Sequence, residues 1–444
     1  MKNIKLLTAC LGFLGGFAYT ASCATNGVVV GQNFQSVIDA SAPGDTLVVQ
    51  PGIYPDASLV FNKPLTVLPS GTNGDWIQLL GAIQVTGAGT SSFQHAFFGG
   101  SVQTTGATVS FFGCYFDGTV QTTGAAVSFF DTTFNNNVTV TGSSVTMKRT
   151  TLNYPLALSG NATMVALRMT NNAAVTATAT VGANTPFLAV QSQFFNTVAL
   201  SGYTAWLGYN TFVAQSDIDA DLQETNCNSV LIGNQFSSPG GANNSTIYES
   251  GGTLKAYNNL INCPNISSGI ILNSAVAVIE NNTISLGGTA IQANEGGPMT
   301  LRGDILSGGG GSQYGCDVQA TGAASQALFL SYCELAVPVS GYTPLVGVTA
   351  PPVNCLYQVT PIALNADGSL SAGSPCINAG PPDPIYNNRD GTQNTMGYTG
   401  GPYWNPANYT NNNPMVFFLG TSQQVVLSGI QTNIQVSTAA SAGH

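Results

Sequence analysis

The 444-residue chain predicts an all-β solenoid, a ribbon coiled into stacked turns, and three observations carry that reading. Gly106, Gly124, Gly142 and Gly160 stand 18 residues apart, each closing a tetrapeptide led by Val or Leu: VQTT, VQTT, VTVT and LALS. A fixed spacing near 20 residues marks a stacked repeat, in which each unit buries its apolar face only against its neighbours. The composition, with 52 Gly and 22 Pro beside plentiful Val, Thr, Asn and Phe, suits short strands and tight turns. Beyond the first 24 residues, no segment keeps a 3.6-residue apolar period for more than about three turns. An array of immunoglobulin-like sandwiches would need about 100 residues per unit, far more than the spacing found here.

Taken in order, residues 1–24 read as a secretory leader: Lys2 and Lys5 precede the apolar run Leu6 to Ala18, and Ser22-Cys23-Ala24 supplies a small-residue cleavage site. The mature chain is then expected to start near Thr25 and to be secreted, periplasmic or at the cell surface of a bacterium. Two lipid-attachment readings stay open, at Leu7-Thr-Ala-Cys10 and Thr20-Ala-Ser-Cys23. Next, Phe34, Val37, Ile38 and Ser41 share one face of a short helix over 34–41, suited to plug the open apolar end of a stack.

The repeat is established by Ile83-Gln-Val-Thr-Gly87, 19 residues before Gly106, and carries its own landmarks. Val109-Ser-Phe-Phe112 returns as Val127-Ser-Phe-Phe130 and as Val145-Thr-Met-Lys148, and Phe116, Phe134 and Leu152 follow with the same step. Further on, a small polar residue stands two positions before a large apolar one: Ser192/Phe194, Asn210/Phe212, Asn234/Phe236, Asn259/Ile261, Asn282/Ile284 and Asp304/Leu306. Their steps drift between 18 and 25 residues, as insertions that bulge out of a solenoid allow. The apolar members are expected to point inward and stack, with the Asn amides laddering from turn to turn. Roughly a dozen turns at ~4.8 Å make a rod about 60 Å long. The domain reading is a leader over 1–24, a coil with its N-terminal cap over 25–345, a C-terminal capping segment over 346–402, and a small β appendage or tail over 403–444. In that tail Val416-Phe-Phe-Leu419, Val425-Val-Leu427 and Ile434-Gln-Val436 read as short strands.

Two segments resemble a known family. Phe34-Gln-Ser-Val-Ile-Asp-Ala-Ser-Ala-Pro-Gly-Asp-Thr-Leu-Val-Val-Gln-Pro-Gly-Ile-Tyr54, followed by Lys63-Pro-Leu-Thr-Val67, resembles the opening segment of parallel β-helix proteins of the pectin-lyase-like superfamily. Gly373-Ser-Pro-Cys-Ile-Asn-Ala-Gly380, through Arg389-Asp-Gly-Thr-Gln-Asn-Thr-Met-Gly397 to Gly400-Gly-Pro402, resembles the closing segment of bacterial secreted β-helix proteins. The resemblance implies a right-handed parallel β-helix with a helical first-turn cap and a C-terminal cap. Asn378, Gln393 and Thr395 stand where that family carries Asp, Arg and Asp, which removes the charges an ion-paired or metal-assisted closure would use.

Removing the leader leaves seven basic residues against 19 acidic ones, a net charge of −12, which opposes nucleic acid and anionic membranes as partners. No later apolar run reaches the ~20 residues of a membrane span. Only 6% of residues are charged, so Ser, Thr, Asn and Gln must form the wet surface. Seven cysteines lie beyond the leader, an odd number; Cys316–Cys333 and Cys355–Cys376 are the local pairings open to it, and Cys114 takes the bend position held by Thr132 and Thr150 in the next turns. With His95 and His444 as its histidines, the chain offers no zinc-ligand spacing.

Enzymes of the resembled superfamily are polysaccharide lyases, which use calcium and an Arg or Lys base, or glycosidases with clustered aspartates, often near Gly-His-Gly and Arg-x-Lys; neither tripeptide occurs here. The acidic candidates are Asp217, Asp219 and Asp221, which alternate and would project to one side of an extended stretch at ~6.6 Å intervals, with Glu224 beyond. Calcium, with its six to eight oxygen ligands, is the cofactor that could bridge them. Lys148-Arg149 and Arg168 occupy consecutive turns as a positive strip, with Arg168 the candidate base. Trp206, Tyr209, Tyr248 and Tyr257 are candidate stacking platforms for sugar rings. Thr104-Thr105, Thr122-Thr123, Thr139, Thr141, Thr176, Thr178 and Thr180 form ranks like those of an ice-binding face. The expected function is surface adhesion, scaffolding or glycan binding without catalysis, with polysaccharide as the partner class. The alternatives are a polysaccharide lyase or glycoside hydrolase using the Asp217–Asp221 cluster, and ice binding.

Overall fold

The computed structural model describes residues 23–71, 76–213, 220–237, 245–308, 316–337, 342–358, 362, 364–365 and 368–404, together with the backbone of 415–421 and 436–441. Three parallel sheets of 15, 15 and 14 strands wrap one core, so the chain is a parallel β-helix of about fourteen turns rather than a dozen. Successive strands visit the three faces in rotation. Thr46–Val49 lies on the first face, Gly52–Tyr54 on the second, Ser58–Phe61 on the third, and Thr66–Pro69 returns beside Thr46–Val49.

The 18-residue beat has a conformational cause. In the turn Val120–Thr123, Ala126–Phe130, Thr133–Phe134, the chain bends sharply at Gly124 (φ +57°) between the third and first faces, and at Asp131 (φ +52°) between the first and second. Left-handed backbone costs a side chain most where glycine costs least, which is why Gly106, Gly124, Gly142 and Gly160 recur at the first of these bends with φ between +55° and +62°. Register across the turns is residue for residue: Val102 faces Val120, which faces Val138 and then Leu156.

Inside, like packs on like. Phe93, Phe111 and Phe129 stack with ring centroids 5.2 Å apart, and Phe98, Phe116 and Phe134 with 4.7 and 4.8 Å. Phe194, Phe212 and Phe236 repeat the arrangement at 5.0 and 4.5 Å. At the bend between the first two faces runs an interior polar column. The backbone N–H and Nδ2 of Asn210 both donate to Asn234 Oδ1, those of Asn234 to Asn259 Oδ1, those of Asn259 to Asn282 Oδ1, and those of Asn282 to Asp304 Oδ1, all between 2.7 and 3.0 Å. Each Nδ2 also donates to a carbonyl, of Ala189, Leu207, Leu231 or Ala256. Cys114, Thr132 and Thr150 open the same column, each donating to the carbonyl two residues before it.

At the N-terminal end the helix Phe34–Ala40 is capped by Asn33, whose side chain accepts from Ser36 N, and buries Phe34 and Ile38 against the first turns. Phe34 meets the rings of Tyr54 at 5.3 Å and Phe61 at 6.4 Å, so the helix closes the apolar end. Ser41 is its C-cap. The Gly-Asp-Thr motif works as a clamp, because Asp45 accepts from Ala42 N at 2.8 Å and from Asn26 Nδ2 at 3.1 Å, joining the loop to the first strand.

At the other end, Leu345–Val346 and Leu356–Gln358 complete the last turns, and the chain then folds back along the bend between the first and second faces. Gly397 N donates to Gly303 O, Asn394 and Asn281 exchange amide hydrogen bonds, and Asn258 Nδ2 donates to Tyr398 O. The segment read as an end cap is thus also a strap along the flank, reaching from the last turns to Tyr209. Its neutral substitutions fit the way it is held: Thr395 Oγ1 accepts from Asn378 N, and Asn388 bridges Thr392, Thr395 and Gly401 through its amide. In the tail, Met415–Thr421 and Val436–Ser441 pair antiparallel. The expected strands at 425–427 and 434–435 lie outside the described residues.

Candidate functional site

Of the acidic candidates, Asp217 and Asp219 lie outside the described residues, and Asp221 stands in the strand Ala220–Thr225. The stretch is extended from Ala220 on, but Asp221 is only 2% exposed, so its carboxylate does not stand on a wet surface. Among the described residues, no three His, Cys, Asp or Glu side chains gather as a metal site. Arg168 sits at the bend between the first and second faces, with φ +53°, and its Nε donates to Gln191 Oε1 at 3.1 Å. Asp221 belongs to the third face, so the fold does not bring the acid and the candidate base together. The expected positive strip is broken one turn earlier, where the Arg149 guanidinium grips Asp131 through two bonds of 2.5 Å.

The aromatic candidates divide. Trp206, Tyr209 and Tyr257 share one outer apolar cluster with Val190, Ile232, Leu188 and Val230. Tyr209 donates to Tyr403 O at 2.7 Å, and the Tyr257 ring lies 4.9 Å from that of Tyr403. Tyr209 and Tyr257 are thus the seat of the strap rather than free platforms. Tyr248 is apart from them on the third face and accepts from Asn273 Nδ2 at 2.8 Å. The threonine ranks divide as well. Thr104 and Thr122 point inward and are buried, whereas Thr105, Thr123, Thr139, Thr141, Thr176, Thr178 and Thr180 are exposed, with Thr105, Thr123 and Thr141 in register on the third face.

Two arrangements escaped the sequence reading. The first is interior: Glu224 and Glu249 are register partners on neighbouring strands and both are fully buried, on the same side of their strands as the core residues Leu222 and Ile247. Glu224 Oε1 accepts from Ser229 Oγ at 2.6 Å. Burial raises both carboxyls above the ordinary range, that of Glu249 to about 11 with the neighbouring Glu224 adding to the effect. Two carboxyls packed together in an apolar core hold protons more tightly than they would in water and titrate as a pair.

The second is exterior. On the second face the outward positions Gln78, Phe97 and Tyr115 are in register on successive turns. Phe97 and Tyr115 stack at 5.5 Å with their planes 13° apart, and Trp76, 37% exposed, stands edge-on to His95 at 6.3 Å. Trp76, Gln78, Phe97 and Tyr115 line an open concavity of about 440 Å³. From there an amide ladder continues along the rod: Asn135 Nδ2 donates to Tyr115 Oη, Asn153 Nδ2 to Asn135 Oδ1, and Asn172 Nδ2 to Asn153 Oδ1, the last two at 2.7 Å. Spread over six turns at ~4.8 Å, the strip is about 24 Å long. It offers flat apolar rings at one end, amides along its length, and the hydroxyls of Thr133, Thr151 and Thr170 beside them. Aligning the turns would have found it, since Tyr115 holds the position taken by Thr133 and Thr151.

Solved structures similar to this chain include a phage tailspike and an alginate lyase. Tailspike protein 3 of bacteriophage CBA120 matches with a TM-score of 0.44 and 12% identity, over 68% of this chain and 58% of that one. The alginate lyase AlyF-OU02 in complex with G6 matches with a TM-score of 0.32 and 10% identity, over 79% of this chain and 91% of that one. The chain therefore spans less than two thirds of the tailspike's length. No protein-family model and no curated protein sequence matches it.

Proposed function

We propose that this is an exported, non-catalytic β-helix, akin to the pectin-lyase-like proteins that its end segments resemble, which binds neutral glycans at the cell surface through the strip on its second face. The observation that carries the reading is the open concavity lined by Trp76, Phe97 and Tyr115 and continued by the Asn135–Asn153–Asn172 ladder. Ring faces suit the apolar face of a pyranose, and side-chain amides and hydroxyls suit its hydroxyl groups. Neutral sugars are favoured because the strip itself carries no basic side chain and the chain as a whole is acidic. Hydrolysis needs two carboxyls flanking an accessible sugar, whereas the pair Glu224–Glu249 is enclosed in the core.

The test is titration of the purified chain against a panel of neutral and acidic polysaccharides, with reducing ends and unsaturated uronides assayed in parallel. Binding to a neutral polymer is expected, weakened at least about tenfold by either Trp76→Ala or Tyr115→Ala, with no turnover. Binding that both variants leave unchanged rules out the strip. Turnover abolished by Asp221→Ala would install the lyase or hydrolase reading in its place.

A further inference from the structure

Beyond Asp304 the interior polar column continues, and its last two members are cysteines. Cys333 donates to Ser331 O at 3.4 Å and Cys355 to Val353 O at 3.6 Å, the same local bond that Cys114 and Thr132 make at the head of the column. The two cysteines are in register on neighbouring turns: Ser331 bridges Val353 on one side, Glu334 pairs with Leu356 on the other, and Leu356 N donates to Cys333 O. In-register neighbours of a parallel sheet stand about 4.8 Å apart, within the 4.4–6.8 Å span of Cα atoms joined by a disulfide. Both side chains leave the backbone in the same direction, as members of one column must.

We propose that Cys333 and Cys355 are a disulfide site, oxidised by a small disulfide such as oxidised glutathione, and that the bond locks the last turn from which the strap departs. The pairing differs from both local pairs open to the sequence, Cys316–Cys333 and Cys355–Cys376. Chemical roles divide by environment. Cys333 is buried and its thiol is pushed up by burial, whereas Cys355 is partly exposed and, once ionised, can draw the Cys333 S–H away from Ser331 O, which brings its thiol down to about 7. Cys355 is therefore the attacking thiolate. It displaces one thiol from the oxidant to form a mixed disulfide; the Cys333 sulfur then attacks the Cys355 sulfur and expels the second thiol. Two cysteine protons and two electrons pass to the oxidant, which leaves as two thiols. The bond closes a loop of 22 residues and ties Leu356–Gln358 to Glu334–Ala336, the root of the segment that runs back to Tyr209.

The full chain is incubated with oxidised glutathione, its remaining thiols are alkylated, and a non-reducing peptic digest is mapped by mass spectrometry. The expected product is a peptide linking Cys333 to Cys355, about 2 Da lighter than its two parts and split by dithiothreitol. In the reduced chain, Cys355 is expected to alkylate at least about tenfold faster than Cys333. Recovery of both cysteines in alkylated form after oxidation overturns the proposal, as does a link from either to Cys316 or Cys376. Both measurements use the unaltered chain, so neither depends on a variant's folding.

Discussion

This protein is expected to lose stability as the pH rises from 5 to 8, against the usual behaviour of a protein whose acids are ion-paired, and Glu224 and Glu249 are the main cause. Both carboxyls have folded-state values raised by burial above the ordinary 4.5, so the folded chain keeps protons that the unfolded chain releases. Their contribution is fully present below pH 4.5 and declines as the pH climbs toward the folded values, by about 1.4 kcal/mol per pH unit for each carboxyl held neutral. The groups facing the pair do not offset this: burial pushes the Cys227 thiol and the Tyr203 hydroxyl up to about 12, so both stay neutral throughout. Asp317, raised to about 7, and Glu334, raised to about 8, act with the same sign over a shorter range. Urea unfolding at pH 5, 6, 7 and 8 should show the decline directly. In the double variant Glu224→Gln/Glu249→Gln the Ser229 hydroxyl keeps an acceptor and the core keeps its volume, while two titrating groups vanish. That variant should match the parent near pH 4.5 and exceed it by at least about 3 kcal/mol at pH 8. Parallel curves for parent and variant would mean that the pair is not protonated in the folded chain.

Much of this architecture was legible in the residues because a solenoid writes its geometry in equal steps. Gly124 reads as a bend since few residues tolerate its φ of +57°, and Asn210, Asn234 and Asn259 read as a ladder since each recurs two places before a core residue. What stays hidden is whatever depends on unequal steps or distant segments. Glu224 looked like part of the Asp217 insertion, yet alternation from Leu222 turns it inward onto Glu249, and only the register across a 25-residue turn shows the two together. Tyr209 and Tyr257 looked like platforms because nothing local announces that Tyr403, nearly 200 residues after Tyr209, returns to cover them. The strip of Trp76, Phe97 and Tyr115 was obscured for another reason: outward positions tolerate almost any side chain, so no repeated letter marks them.

The two amide ladders offer a direct comparison of buried and exposed hydrogen bonds within one fold. Asn259 is 1% exposed; its Oδ1 accepts from the backbone N–H and Nδ2 of Asn234, and its Nδ2 donates to Leu231 O and Asn282 Oδ1. Asn259→Ala leaves two donors of Asn234 without their acceptor in a site that water does not reach. Each such orphan costs about 1–3 kcal/mol, and a total loss of about 3–5 kcal/mol is expected in urea unfolding. Asn153 makes a formally similar link, to Asn135 Oδ1 and from Asn172 Nδ2, but on the surface, where water replaces what is removed. Asn153→Ala should therefore cost no more than about 0.5 kcal/mol. The contrast also separates roles, since Asn153→Ala is expected to weaken glycan binding while leaving the fold intact, and Asn259→Ala to loosen the coil around the turn that seats Tyr257 and the strap. Equal losses in the two variants would show that the interior column is hydrated, and that the stacked amides align the turns without stabilising them.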